Sequence, residues 1–280
     1  MTIYFVTYGN KKFKYSVKRI VKESRKIRIF DEVLHFSEKD LPLYIKNSTL
    51  FSSAKGGGYW LWKPFIIQKV LERAQKNDVV IYSDAGNKLF KSNKWKEYIR
   101  ILENYDSIFF QYKDNMDYLW SKNNINLNDS PKLKYWIKKS AADHFQNLFS
   151  SNDQWLEKNK LVAGFFLLKK TETTLKLIDE WLKTMLFFPS IVTDLFEIEK
   201  KMQIEGFSEH RHDQSILSVL VRYYELNNDA LVTDEEFESK QDNQALRTFR
   251  LIDKGGMLYS LKKMIKQNIF LRNLYQKIKK

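Results

Sequence analysis

The chain has 280 residues and no cysteine, which excludes disulfides, thiolate metal sites and a cysteine nucleophile. Hydrophobic residues make up 43% of the sequence and aromatic residues 15%, so a sizeable core is expected, and four prolines with nine glycines argue against long disordered linkers. The formal net charge of +14 favours an anionic partner such as nucleic acid, an acidic lipid or a phosphorylated substrate.

Strands and helices alternate along the first part of the chain. The predicted elements are, in order, a strand at 3–6, a helix at 15–24, a strand at 27–30, a helix that starts near Pro64, and a buried strand at 79–82. Proline suits the first turn of a helix because its missing N–H would have no partner there.

The second part contains a strand at 107–111, a polar segment at 113–160 that we interpret as a helical insertion, a strand at 161–168, a helix capped by Thr171, and a helix that opens at 210–215. This alternation predicts a Rossmann-like three-layer α/β/α fold. We expect one main domain over residues 1–252, with the insertion at about 113–160, and a separate tail at 253–280.

The N-terminal sequence is not typical of a targeting segment. Residues 1–9 have no basic region and only a short apolar run, so we expect no signal peptide. No window of the sequence approaches 18 uninterrupted apolar residues, so no transmembrane helix is expected. These features predict a cytoplasmic protein.

Asp84 is the first candidate for a functional residue. It follows the apolar run at 79–82, and in open α/β sheets ligands bind at the carboxyl ends of the strands. Gly86 then provides for a turn. A carboxylate in this place can hold a divalent metal or a sugar hydroxyl, and the alternative is an aspartate that only caps the turn.

A glycine cluster, Lys55-Gly-Gly-Gly58, is the second candidate. Its backbone N–H groups and the lysine could meet a diphosphate, although neither the Walker A motif nor Gly-x-Gly-x-x-Gly is present. Trp60, Trp62 and Lys63 follow at once. Indole rings can stack on sugars and lysine can bind phosphate, which would make this segment part of a binding site. The alternative is a flexible loop followed by two tryptophans that belong to the core.

Four segments occur in an order that resembles the GT-A class of nucleotide-sugar glycosyltransferases. They are the strand that ends at Thr7-Tyr8-Gly9, then Gly-Tyr-Trp-Leu-Trp-Lys-Pro at 58–64, Tyr-Ser-Asp-Ala-Gly at 82–86, and Ala-Gly-Phe-Phe-Leu-Leu at 163–168 followed by His-Asp-Gln-Ser at 212–215. The resemblance covers roughly residues 1–225. The second and third segments together are similar to a subgroup found among bacterial capsule and lipopolysaccharide synthesis proteins.

The resemblance implies transfer of a sugar from a nucleotide-diphosphate donor to a surface glycan or a lipid-linked acceptor. It implies donor contacts from Thr7, Tyr8, Gly9, Lys63, Asp84 and Gly86, acceptor contacts from Trp60 and Trp62, and contacts to the reacting sugars from Asp213 and Gln214. For an inverting reaction, Asp213 would be the candidate base. A capping role at a helix start is the structural alternative for Asp213.

The resemblance also implies Mn²⁺ or Mg²⁺ on the donor diphosphate. The class uses an Asp-x-Asp motif, but this chain has Tyr82 and Asp84, so one carboxylate is missing. Mg²⁺ can use one carboxylate together with substrate phosphates and water. Asp84 is therefore the candidate ligand, with His212 as a weaker second.

The tail combines apolar residues with an all-positive charge set. Residues 254–280 contain eight basic and no acidic side chains, interleaved with Met, Leu and Ile. This pattern is typical of a basic amphipathic helix that binds an anionic membrane surface, here the inner face of the cell membrane. A helix packed on the domain with a solvated basic face is the alternative.

Two other function classes are open at this point. The charge and the aromatic content allow a nucleic-acid-binding protein, but no recognised nucleic-acid motif occurs and the basic excess lies in the tail, so no nucleic-acid partner is expected. A metal-dependent nuclease could use Asp84, His210, His212 and Asp213, although a second carboxylate cluster is missing.

Overall fold

The computed structural model describes residues 1–113, 130–149, 153–225 and 230–248. The helices are α1 (Lys14–Ile27), α2 (Leu43–Lys46), α3 (Gly56–Tyr59), α4 (Trp62–Arg73), α5 (Lys94–Ile101), α6 (Lys139–Phe149), α7 (Glu172–Phe187), α8 (Glu197–Lys200) and α9 (Asp213–Glu225). The strands are β1 (Ile3–Tyr8), β2 (Glu32–Phe36), β3 (Val79–Ser83), β4 (Asn87–Leu89), β5 (Ser107–Gln111), β6 (Phe165–Lys169), β7 (Leu231–Asp234) and β8 (Leu246–Thr248).

A mixed sheet of six strands forms the centre, in the order β2-β1-β3-β6-β5-β7. β1 pairs in parallel with β2 and β3, β5 pairs in parallel with β7, and β6 runs antiparallel to both of its neighbours. β4 and β8 form a separate antiparallel pair. β1 and β3 therefore end at the same edge of the sheet, and β6 begins there.

Both faces of the sheet are covered, because alternate strand residues point to opposite sides. Val80 and Tyr82 belong to a hydrophobic cluster with residues of α4, α7 and α9, whereas Val79 and Ile81 belong to a second cluster with residues of α1 and α5. Helices on both faces of a mostly parallel sheet make the three-layer α/β/α arrangement, which confirms the predicted fold class.

Most of the predicted elements lie where the pattern placed them, but the predicted strand at 27–30 is wrong. Helix α1 continues to Ile27 and ends at Arg28, whose φ of 63° is the left-handed conformation common after helices. The apolar side chains of Ile29 and Phe30 pack against the core from the turn. The strand follows only at Glu32–Phe36 and is half-buried.

The predicted strand at 161–168 also begins later, at Phe165. Leu161 makes a single bridge to Gln111, and the Gly164 carbonyl accepts a hydrogen bond from the Asp84 N–H at 2.9 Å. The residues just before β6 are also apolar, and Leu161 and Ala163 are buried. A prediction based on apolar character alone therefore starts the strand too early.

Helix α6 lies within the predicted helical insertion, and residues 114–129 of that insertion are outside the described ranges. The predicted tail at 253–280 and the domain boundary at 252 are outside them as well, so both stay predictions. Within the described part of the chain, no helix is both long enough and apolar enough to cross a membrane.

Candidate active site

Four elements converge at the edge where β1 and β3 end. Asp84 directly follows β3, and Gly164 directly precedes β6. Lys63 is the second residue of α4, and Asp213 is the first residue of α9. The sequence separates these residues widely, but the sheet order and the two helix starts bring their side chains together.

Lys63 is the central side chain of this group, and it is 2% exposed. Its Nζ lies 2.6 Å from Oδ2 of Asp213 and 3.7 Å from Oδ1 of Asp84, and it donates to the Ala163 carbonyl oxygen at 3.2 Å. Burial lowers the pKa of the ammonium, but the carboxylates of Asp213 and Asp84 outweigh this and leave the pKa raised. Lys63 is therefore a charged group held between two carboxylates.

Asp213 is 4% exposed. Burial raises the pKa of its carboxyl to about 6, against the opposing effect of Lys63. The carboxylate also accepts a hydrogen bond from the Gln214 backbone at the start of α9. Its surroundings fit a residue that fixes Lys63 in place. The role of Asp213 as the base of an inverting reaction stays a prediction.

Asp84 differs from Asp213 because 39% of its side chain is exposed. The Tyr82 hydroxyl donates to Oδ1 of Asp84 at 2.5 Å. Oδ2 lies against Gly164, where an added Cβ would be only 2.8 Å away. Glycine at position 164 thus leaves room for the carboxylate of Asp84. This explains why glycine follows Ala163, which the sequence pattern alone did not explain.

The charges of this group do not cancel. With Asp213 ionised, two carboxylates and one ammonium leave a net charge of −1, and the exposed part of it belongs to Asp84. Burial, followed by the charge of Asp84, raises the pKa of Tyr82, so its phenol stays neutral and donates to the carboxylate. A ligand at this edge therefore meets one exposed carboxylate that is backed by a buried ammonium.

The predicted nucleoside contacts lie at the end of β1. Tyr8 is buried and stacks on Trp62, with ring centroids 3.9 Å apart and planes at 15°. Gly9 donates its N–H to the Phe36 carbonyl at 3.0 Å, and an added Cβ would lie 2.4 Å from Cγ2 of Val17, so this glycine is needed for packing. Thr7 is completely buried in the sheet and does not line an open pocket.

The two tryptophans proposed for the acceptor have different surroundings. Trp62 is buried, and its indole N–H donates to the Gly56 carbonyl at 2.9 Å. Trp60 is half-buried and stacks on His212 with planes at 18°. Trp60 is thus the more exposed of the two rings, while Trp62 belongs to the core.

Gln214 and Gly86 are the remaining predicted site residues. Gln214 donates its side-chain amide to the Leu161 carbonyl at 2.5 Å. Gly86 follows Asp84 without a positive φ, so its backbone does not require glycine as we expected.

The candidate metal ligands do not converge. His212 is buried with Nδ1 2.7 Å from the Val192 carbonyl, and Asp213 is bound to Lys63. The described residues contain no group of three or more His, Asp or Glu side chains that could hold a metal ion. Asp84 is left as the one exposed carboxylate of this site, so a metal ion would take its remaining ligands from a donor diphosphate and water. The nuclease set of Asp84, His210, His212 and Asp213 is likewise not gathered.

Sequence reasoning missed three residues of this region. Tyr82 holds Asp84, and its position two residues before the aspartate, near the end of β3, could have suggested this contact. Gly164 leaves room for the carboxylate. Asp194 binds Lys55 and Tyr59, and no local pattern around residue 194 marks it.

No protein-family model matches the sequence, and no curated protein matches it. Solved structures similar to this chain include a glycosyltransferase involved in the glycosylation of the major capsid of PBCV-1, at 11% identity and a TM-score of 0.42, over 84% of this chain and 83% of the other. Mouse xyloside xylosyltransferase 1 is similar over 84% of this chain and 86% of its own, at 11% identity and a TM-score of 0.41.

A third similar structure is 4-diphosphocytidyl-2C-methyl-D-erythritol synthase from Anaerococcus prevotii, at 8% identity and a TM-score of 0.43, over 95% of this chain and 99% of the other. Glycosyltransferases are thus among the similar structures. At these identities and TM-scores, the similarities do not identify which side chains act in this protein. The function has to follow from the site itself.

Proposed function

We propose that the protein is a glycosyltransferase that moves a sugar from a nucleotide-diphosphate donor to a glycan acceptor. The observation that carries this proposal is the placement of Asp84, exposed and backed by Lys63, at the edge where β1 and β3 end. This edge is where open α/β sheets bind their ligands. The order of the sequence motifs, which resembles the GT-A class, supports the same reaction.

In this proposal the acceptor hydroxyl attacks the anomeric carbon of the donor sugar, and the bond from that carbon to the diphosphate breaks. The diphosphate leaves with the bonding electron pair, and the proton of the hydroxyl passes to the departing diphosphate or to water. Asp84 contacts the donor, and Tyr82 and Lys63 hold its carboxylate in position. Asp213 fixes Lys63. A divalent metal held by Asp84 would neutralise charge on the departing diphosphate.

The test is a thermal-shift screen of nucleotide diphosphates and their sugar conjugates, with and without Mn²⁺, followed by a transfer assay with the best donor. We expect stabilisation by one nucleotide class and weaker stabilisation of Asp84→Asn. Lys69→Met, an exposed change on α4, is the matched control and should bind as the unaltered protein does. A protein that binds no nucleotide diphosphate under any condition would contradict the proposal.

We propose further that the acceptor is a capsule or lipopolysaccharide glycan on a lipid carrier and that the enzyme works at the inner face of the cell membrane. The support is the basic amphipathic pattern of residues 257–280, which lie outside the described ranges. Several apolar side chains between residues 187 and 202 are also exposed, by 46–75%: Phe187, Phe188, Phe196, Ile198 and Met202. Where exposed apolar side chains form a continuous surface, they mark interaction sites.

A further inference from the structure

The segment before α4 has an unusual backbone. Gly56, Gly57, Gly58, Tyr59 and Trp60 have φ values of 61°, 61°, 96°, 50° and 61°, which is a run of five residues in the left-handed region. Glycine adopts this conformation readily, but tyrosine and tryptophan do so at a cost. Backbone strain of this kind persists where surrounding contacts hold it, and it is frequent at binding sites.

Two side chains at this left-handed turn bind the same carboxylate, that of Asp194. The Tyr59 hydroxyl donates to Oδ2 of Asp194 at 2.8 Å, and Nζ of Lys55 lies 2.5 Å from Oδ1 of the same residue. The indole of Trp62 adds a hydrogen bond to the Gly56 carbonyl. Tyr59 therefore ties the turn to Asp194, although Asp194 is more than 130 residues further along the chain.

His212 completes the surroundings of Asp194. Its φ of 53° is also left-handed, and the Trp60 ring stacks on its imidazole at a centroid distance of 6.0 Å. Nδ1 must carry the proton, because it faces the Val192 carbonyl oxygen at 2.7 Å. Nε2 is then a bare acceptor. It is buried without a hydrogen-bond donor among the described residues and lies 3.6 Å from Oδ1 of Asp194.

The chemistry of these groups selects their ligand. A carboxylate and a bare imidazole nitrogen both accept hydrogen bonds, so they repel phosphate and attract hydroxyl donors. Burial lowers the pKa of His212, which keeps the imidazole neutral. The Asp194 carboxylate is 57% exposed and the Trp60 ring is half-buried, so a ligand can reach both. A neutral sugar supplies the hydroxyls for the acceptors and a C–H face for the indole.

We propose that Trp60, Asp194 and His212 form a subsite for the acceptor sugar. This inference rests on the proposed glycosyltransferase function. It assigns the acceptor sugar to a subsite that is separate from the donor site at Asp84. The subsite adjoins the donor side through the chain itself, since Trp60 precedes Lys63 by three residues and His212 directly precedes Asp213. One hydroxyl of the sugar donates to Asp194 and a second donates to Nε2 of His212. The exposed Lys55–Asp194 ion pair has to open first, which costs little because both side chains are solvated, and this opening uncovers the buried Nε2.

The test is saturation-transfer NMR on the full chain with a panel of neutral methyl glycosides of glucose, galactose, mannose and N-acetylglucosamine. The nucleotide diphosphate found in the donor screen is titrated in parallel. We expect at least one glycoside to bind, with affinity reduced about tenfold or more by Asp194→Asn, as the loss of a hydrogen bond to a charged group predicts. Nucleotide binding should not change.

Trp60→Gly is the second variant, because glycine accepts the positive φ and only the ring is lost. It should weaken glycoside binding, and Trp60→Phe should retain part of it. Glu197→Gln removes a neighbouring exposed charge paired with Lys200 and should leave both ligands unaffected.

The inference is overturned if no glycoside binds while the nucleotide does, if both variants bind the glycoside normally, or if nucleotide affinity falls in parallel. A protein that binds glycosides at Trp60 but no nucleotide would instead contradict the proposed function and leave a sugar-binding site. The two failures are therefore distinguishable.

Discussion

The ammonium of Lys63 and the carboxylate of Asp213 are 150 residues apart in the sequence and 2.6 Å apart in the interior of the protein. Each stands in the first turn of its helix, so the pair joins the starts of α4 and α9. Asp84 lies 3.7 Å from the same ammonium, so Lys63 interacts electrostatically with both carboxylates. Lys63 therefore contributes both to the stability of the folded protein and to the net charge of the site.

Replacement of Lys63 by methionine should destabilise the protein and abolish transfer. Removal of one partner of a buried ion pair costs about 3 kcal/mol, since the other charge stays buried without compensation. The double variant Lys63→Met/Asp213→Asn should recover much of the free energy of unfolding without recovering activity. Urea unfolding and a transfer assay measure the two effects separately. An active double variant would show that Lys63 is needed only for folding.

Replacement of Asp84 by asparagine should abolish transfer but change the stability of the protein little. The side chain is 39% exposed and its hydrogen bond from Tyr82 can be kept, so the melting temperature should change little. Transfer and donor hydrolysis should be lost, because the amide carries no charge for the donor site. Turnover equal to that of the unaltered protein would remove Asp84 from the mechanism.

The raised pKa of the Asp213 carboxyl should make the free energy of unfolding depend on pH. Its pKa is about 6 in the folded protein and lies near 3.8 when solvated, so the folded state holds the proton more tightly. Its contribution to the free energy of unfolding should therefore fall as the pH rises from about 4 to about 6, and stay constant above that. Urea unfolding between these pH values should show this fall in the unaltered protein. Asp213→Asn should lack it, and identical pH profiles would contradict the assignment.

Mn²⁺ binding should depend on the nucleotide. One exposed carboxylate supplies too few ligands for a hard divalent cation, whereas a diphosphate adds several oxygens. Electron paramagnetic resonance of Mn²⁺ should thus detect little binding to the protein alone and clear binding when the nucleotide diphosphate is added. Asp84→Asn should weaken the ternary binding. Tight binding of Mn²⁺ without nucleotide would point to ligands other than Asp84.

Truncation after Lys254 should reduce binding to anionic vesicles and leave donor binding intact. The removed segment carries most of the excess positive charge of the tail, whose attraction to a charged surface decays over a Debye length of about 8 Å at physiological ionic strength. Vesicle sedimentation at rising salt measures this, and reversal of Lys262, Lys263 and Lys266 to glutamate should mimic the truncation. Unchanged vesicle binding by a folded truncated protein would mean that the tail is not the membrane contact, and unfolding would place it in the core.

The sequence by itself determined the elements whose signals are local. The apolar runs predicted β1, β3 and β5 close to their observed bounds, and the cap at Thr171 predicted α7, where the threonine side chain accepts from the Thr174 N–H. Asp84 was predicted at a strand end for the same reason, because an abrupt change from apolar to acidic residues is visible within one short window. The order of these elements was enough to predict the fold class.

Local patterns were less informative where a residue had two possible environments. The apolar residues at 27–30 satisfy a strand pattern, but the end of α1 and the following turn bury them equally well. Trp60 and Trp62 share one short motif, yet one is half-buried and the other lies in the core. Periodicity reports that a side chain is apolar and not which neighbour covers it.

Only the tertiary structure decided the partners of the charged residues. Lys63 was predicted to contact the donor and Asp213 to contact the reacting sugars, and the structure adds that their side chains form an ion pair in the interior. No sequence pattern marked Asp194 as a functional residue. Only the structure shows that Tyr59 and Lys55, at the left-handed turn, bind its carboxylate. The physical reason is that ion pairs and burial arise between segments distant in sequence, whereas a pattern of neighbouring residues records only what is local.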